Sequence, residues 1–189
     1  MRNYFNKSAL LDCDCFVADY TESTDSRKGV EISTSPFTDI PFFHLRKASR
    51  GNILYLAVNF EEYPTFIKGI QNCECAFSSI SDCRRPWLLM LETKYCAPEN
   101  TENHAFKAYS QMHETLSKLE SEKLLNRQER NVYFVYSVPG HDECIPFGAF
   151  TISQNDTLKA FEQQNIQLLG YNTMLIATPE YLFAPKVKV

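Results

Sequence analysis

Residues 72–94 read NCECAFSSISDCRRPWLLMLETK, and the fold turns on how this stretch is divided. It falls into two β-rich apolar runs, Cys73–Ser79 and Trp87–Lys94. They are joined by Asp82-Cys83-Arg84-Arg85-Pro86, a polar connection of the kind that closes a hairpin. The first run carries an acid, Glu74. The second ends in Glu-x-Lys, Glu92 and Lys94. Residues two apart on a strand share a face, so Glu92 and Lys94 lie side by side. Trp87 to Leu91 is apolar enough to belong in a core. Two charged groups at the rim of a core need a partner, because a buried unpaired charge is costly.

The same reading extends outward. Upstream, Ile53–Phe60 (ILYLAVNF) is a β-rich run bounded by Gly51-Asn52 and by Glu61-Glu62. Downstream the period changes. Ala105, Phe106, Tyr109, Met112, Leu116 and Leu119 follow the 3, 4, 7 spacing of an amphipathic helix over 102–126, with Asn100 or Thr101 as its cap and no breaker before about Asn131. Val132–Val138 is a strand stopped by Pro139-Gly140. A weaker helix covers Thr157 to Gln164, and a last strand covers Thr173–Ala177. The order after Gly51 is three strands, a helix, a strand, a helix and a strand. That is an α/β fold with a mixed central sheet flanked by helices. Residues 51–189 form this domain. Residues 1–50 are an N-terminal lead-in with one short strand, Val30 to Ser33. This lead-in either completes the sheet, supplies a further helix or docks a partner.

The chain has 189 residues, room for one domain. With 44% hydrophobic and 22% charged residues it has an ordinary globular composition, and no apolar run is long enough to span a bilayer. The N-terminus lacks a signal-peptide pattern, so cytoplasmic location is expected. A net charge of −4 argues against a free-standing nucleic-acid binder. The cysteines number seven, an odd count that points to reduced thiols. The pairs Cys13/Cys15 and Cys73/Cys75 have the wrong spacing for a structural zinc site. As strand residues they would place both thiols on one face, as small buried hydrophobes.

Two carboxylates and an ammonium brought together are the set that magnesium-assisted phosphodiester hydrolysis uses. Mg²⁺ (or Mn²⁺) takes oxygen ligands and keeps several waters. Glu74 and Glu92 can hold it, with the Thr93 carbonyl. Lys94 places a positive charge near the developing phosphorane and the attacking hydroxide. The plainer alternative is a surface ion pair at a strand end, worth about 0–1 kcal/mol.

A strand meander carrying Glu74 and Glu92-x-Lys94, followed by an amphipathic helix and another strand, resembles the core of the PD-(D/E)XK restriction-endonuclease-like superfamily. The resemblance covers roughly residues 50–140 and rests on short motifs. The family core runs helix, three strands, helix, strand, with the first acid at the start of the second strand and E-x-K on the third. The resemblance implies metal-binding roles for Glu74 and Glu92, a catalytic role for Lys94, and a helix-borne glutamine at Gln111. It also implies a further acid on the preceding helix, with Glu31, Glu61 and Glu62 as candidates. Glu stands at 74 where the family more often has Asp, and no proline precedes it. The expected function is a metal-dependent nuclease acting on nucleic acid, DNA first, in company with a protein partner or a second copy of the chain. The alternative is a catalytically inactive α/β interaction subunit of a larger complex. In the first case Glu92→Ala and Lys94→Ala abolish cleavage and leave the melt nearly unchanged.

Other motifs carry less. The four histidines (His44, His104, His113, His141) are scattered, and His141-Asp142-Glu143-Cys144 reads as a solvated turn. No glycine-rich phosphate loop is present. Arg46, Lys47 and Arg50 form one basic cluster, and Arg84 and Arg85 another, in the hairpin beside the expected site. Each is either a solvated loop or a backbone-phosphate contact.

Overall fold

In the computed structural model, which describes residues 1, 3–21, 29–48, 51–141 and 163–185, the chain runs β1 (Ala9–Leu11), β2 (Cys15–Asp19), β3 (Val30–Ser33), β4 (Phe43–Lys47), β5 (Tyr55–Asn59), a single helical turn α1 (Pro64–Ile67), β6 (Cys75–Ser79), β7 (Trp87–Thr93), the long helix α2 (Thr101–Ser121), β8 (Asn131–Ser137), β9 (Ile166–Gly170), β10 (Thr173–Ile176) and β11 (Leu182–Phe183). The strands form two mixed sheets, ordered β1-β5-β6-β7-β8-β9 and β11-β10-β4-β2-β3. β5, β6 and β7 are the expected antiparallel meander. β8 lies parallel to β7, and α2 is the crossover that a parallel pair requires.

β7 is buried along its whole length because both faces of the first sheet are covered. Leu88 and Met90 pack under Ala105, Ala108, Met112, Leu116 and Leu119 of α2. Trp87, Leu89 and Leu91 point the other way, onto Cys15, Val17, Phe43, Leu45, Met174 and Ile176 of the second sheet. A strand buried on both faces reads as a continuous apolar run, which is how WLLML reads. Trp87 loses its polar handle to this core safely, since its indole N–H donates to the Thr178 carbonyl at 3.1 Å.

The architecture is therefore α/β, and its layers differ from a sheet between two sets of helices. A long helix covers one face and a second sheet the other. Residues 1–48 build much of that second sheet. β2, β3 and β4 come from this stretch, and β1 adds an edge strand to the first sheet. β10, the expected last strand, pairs in parallel with β4 and so belongs to the second sheet. The expected helix at 157–164 falls almost wholly outside the described residues, as do residues 142–144 of the His-Asp-Glu-Cys motif. Among the described residues no helix is long and apolar enough to cross a membrane.

α2 stops at Ser121, short of the expected 126. The chain closes it with Lys123 in the left-handed region, φ 56°. Leu124 N–H bonds the Leu119 carbonyl at 2.9 Å and Lys123 N–H the Glu120 carbonyl at 2.9 Å. This is the two-bond closure that usually has glycine at the left-handed position. A lysine there bears a steric cost that glycine escapes. Lys123→Gly is expected to stabilise the fold by up to about 1 kcal/mol in urea melts, and a destabilised variant would show that the lysine stem contributes packing.

Candidate functional site

Glu74 sits one residue before β6, at a break in strand alternation. Cys73 joins the core under α2, while Cys75 joins the core between the sheets. The two thiols thus point to opposite sides, contrary to the same-face expectation. The ladder begins only at Cys75, opposite Asn59, and leaves Cys73 outside it. The six cysteines among the described residues are thiols outside any disulfide; Cys15, Cys73 and Cys75 are buried, while Cys13 is exposed, contrary to the expectation of a buried Cys13/Cys15 pair.

At this break the two acids brace each other. Glu74 N–H donates to Glu92 Oε2 at 3.0 Å. In return, Glu74 Oε2 accepts from Thr93 N–H at 3.0 Å and from the Thr93 hydroxyl at 2.6 Å. The Glu74 carbonyl takes the Phe60 N–H at 3.0 Å. Lys94 Nζ stands 2.9 Å from Glu92 Oε1 and 3.8 Å from Glu74 Oε1. Residues 18 apart in sequence are thereby held in one cluster. The side chains of Glu92, Glu74 and Lys94 are only 1%, 9% and 12% exposed. That burial overturns the surface-ion-pair alternative.

One ammonium cannot neutralise two carboxylates. Burial raises the Glu74 carboxyl well above its usual range, and the Glu92 charge adds to the rise, with Lys94 and Thr93 opposing it. Burial likewise raises Glu92, and Lys94 opposes that rise more directly. The cluster therefore holds a proton on Glu74 more readily than on an exposed acid. A further acid, Asp19 at the end of β2, is 6% exposed, and its charge pushes both carboxyls in the same direction. Reading the sequence missed Asp19. Its signal was present, since CFVAD is an apolar run ended by an acid, as WLLMLE is.

The remaining candidates lie elsewhere. Gln111 donates through Nε2 to the Asn72 carbonyl at 3.0 Å, two residues before Glu74, and its buried Oε1 accepts no hydrogen bond. Glu61 accepts from Val30 N–H at 2.8 Å. Glu31 and Glu62 line a groove of about 560 Å³ with Lys7, between the β1 and β3 edges. The basic hairpin is also displaced. Glu74 precedes β6 and Glu92 ends β7, so Arg84 and Arg85 sit at the opposite ends of both strands, about 20 Å away at ~3.3 Å per residue. Arg85 is spent on the Arg130 carbonyl at 2.8 Å, and Arg130 on Ser78 Oγ at 3.0 Å. Lys47 is spent on the Asp12 carbonyl at 2.7 Å.

Carboxylate oxygens are the donor type that a hard divalent cation takes. Glu74 Oε1 is buried and accepts no hydrogen bond, which leaves one carboxylate oxygen available. Glu92 has its oxygens on Lys94 and on Glu74 N–H. Among the described residues no group of three His, Cys, Asp or Glu is arranged to hold a metal. Two carboxylates fit an ion such as Mg²⁺, which uses one or two and fills the rest with water and substrate oxygens. No family model, curated protein or solved structure matches the chain.

Proposed function

We propose that the chain is a metal-dependent nuclease of the PD-(D/E)XK kind, hydrolysing phosphodiesters of nucleic acid, DNA first. The observation that carries the reading is the convergence of Glu74, Glu92 and Lys94 into one buried cluster at the head of a three-strand, helix, strand unit. Glu74 and Glu92 would hold Mg²⁺ or Mn²⁺. Such an ion, when bound, polarises the phosphate and lowers the pKa of its water. Lys94 holds positive charge beside the reacting phosphate. The acidic chain, with Arg85 and Arg130 engaged on the Arg130 carbonyl and Ser78, leaves phosphate contacts to a protein partner or a second copy. Reduced thiols suit a cytoplasmic setting.

A second reading has its own observation. Lys94 closes on both acids, and the cluster is almost sealed, which suits a catalytically inactive interaction subunit. Calorimetry with Mn²⁺ at near-neutral pH separates the two. The nuclease reading expects saturable binding in wild type, lost in Glu92→Gln, and magnesium-dependent cleavage of single- or double-stranded DNA that is lost with it. Wild type that neither binds the ion nor cuts favours the interaction subunit.

A further inference from the structure

The three residues that lead into Glu74 are each held by one face of α2. Glu114 Oε2 accepts from Gln71 N–H at 2.9 Å. Gln111 Nε2 donates to the Asn72 carbonyl at 3.0 Å. Thr115 Oγ1 accepts from Cys73 N–H at 2.9 Å and donates its own O–H to the Gln111 carbonyl at 2.8 Å. Positions 111, 114 and 115 are spaced i, i+3, i+4, so they form one contiguous face. The bonds are made where the chain is outside the β6 ladder and has no strand partner to fix it. Immediately afterwards come the Glu74 N–H bond to Glu92 and the Glu74 carbonyl bond to Phe60. Thr115 is fully buried and spans the two elements. A valine would keep its shape and lose both bonds.

We infer that α2 sets the position of the Glu74 carboxylate, with Thr115 as the positioning residue and Gln111 and Glu114 beside it. This rests on the reading of Glu74, Glu92 and Lys94 as a metal site. The helix is more than a crossover that covers the sheet. Its face supplies the backbone partners that the broken ladder leaves open, and the first acid is presented from that braced segment. The outer groups that orient metal ligands typically govern affinity by about 10–100-fold.

The test uses the full chain as wild type, Thr115→Val, Thr115→Ser and Glu114→Ala. Two measurements are made on each: Mn²⁺ affinity by calorimetry, and hydrogen exchange of the Glu74 amide in metal-free protein, normalised to the Phe134 amide of β8. Normalisation removes global destabilisation, which a merely structural threonine would cause. Thr115→Val is expected to bind Mn²⁺ about 10-fold more weakly and to exchange Glu74 N–H about 10-fold faster than wild type. Thr115→Ser, which retains the hydroxyl, is expected to stay close to wild type. Glu114→Ala, on the exposed side of the clamp, shows a smaller shift in the same direction and serves if the valine variant fails to fold. Normalised exchange and affinity unchanged in the folded variants would overturn the inference. If wild type itself binds no Mn²⁺, the metal-site reading fails on that result, and the exchange data decide the positioning alone: faster Glu74 exchange upholds it, unchanged exchange overturns it.

Discussion

Lys94→Met is expected to destabilise the protein by about 3–5 kcal/mol at pH 8, the usual cost of stranding the partner of a buried ion pair. For a chain of this size that corresponds to a fall in melting temperature on the order of 10 °C. Met approximates the lysine stem and leaves out the ammonium. Glu92 Oε1 then loses its charge partner at 2.9 Å, and Glu74 Oε1 loses the one at 3.8 Å. An exposed Glu-x-Lys pair would leave the melt nearly unchanged, as the sequence alone led one to expect. Burial of all three side chains reverses that expectation. The effect depends on pH with a definite sign. Both carboxyls are already raised above their ordinary value in the folded chain, and removing the ammonium raises them further. A raised carboxyl contributes stability that is present below its unfolded value of 4.5 and is lost as pH rises toward the folded value. The defect should therefore be small near pH 4.5 and grow above it. Urea melts at the two pH values read it directly, and an equal loss at both would show that Lys94 acts through packing of its stem. DNA cleavage, on the nuclease reading, is lost at every pH.

The part of the molecule that carries the cluster was legible because its periods are clean. WLLML is unbroken because it is covered on both sides, VYFVYS for the same reason, and Ala105, Tyr109, Met112, Leu116 and Leu119 share a single helical phase, from which only Phe106 of the expected stripe departs, to the exposed side. Those three patterns place Glu74, Glu92 and Lys94 at one end of adjacent strands, and they meet there. The second sheet was hidden because its strands are short and their cues conflict. β2 begins inside a run of alternating Asp and Cys, β4 carries His44 and Arg46 among its apolar residues, and β11 is a two-residue strand. Asp19 was lost with β2. The misplacement of the basic hairpin had a different cause. A hairpin between two strands looks close to everything on those strands, yet the five steps from Trp87 to Glu92 span about 17 Å at ~3.3 Å each. The Cys73/Cys75 pair failed for a third reason. Alternation holds only inside a ladder, and the ladder starts after Cys73. That failure marks the segment where α2 takes over the backbone hydrogen bonds, so the position where the simple rule breaks is the position where the first acid is presented.

Glu74→Gln is expected to do the opposite of Lys94→Met. At pH 8 it should raise stability by about 1–2 kcal/mol while abolishing Mn²⁺ binding and cleavage. The glutamine oxygen can still accept from Thr93 N–H and from the Thr93 hydroxyl, the two bonds that Glu74 Oε2 now accepts. What disappears is a carboxyl that is buried beside another carboxylate and shares a single ammonium with it. In wild type that group either bears its charge in the interior or takes a proton from solvent, at about 1.4 kcal/mol per pH unit above its unfolded value. The sign follows from the raised folded value. Below pH 4.5 the wild-type carboxyl is protonated in both states and the substitution changes little. As pH rises from there the wild type loses stability that the amide does not, so the advantage of the variant opens with pH. Guanidinium melts of both proteins at pH 4.5 and pH 8, beside calorimetry with Mn²⁺, supply the whole comparison. Gain of stability with loss of binding is the pattern of a site kept for chemistry at a cost to the fold. A variant less stable than wild type at pH 8 would instead mean that the Glu74 carboxylate is a net structural asset through Lys94, and the case for an active centre at this cluster would fall with it.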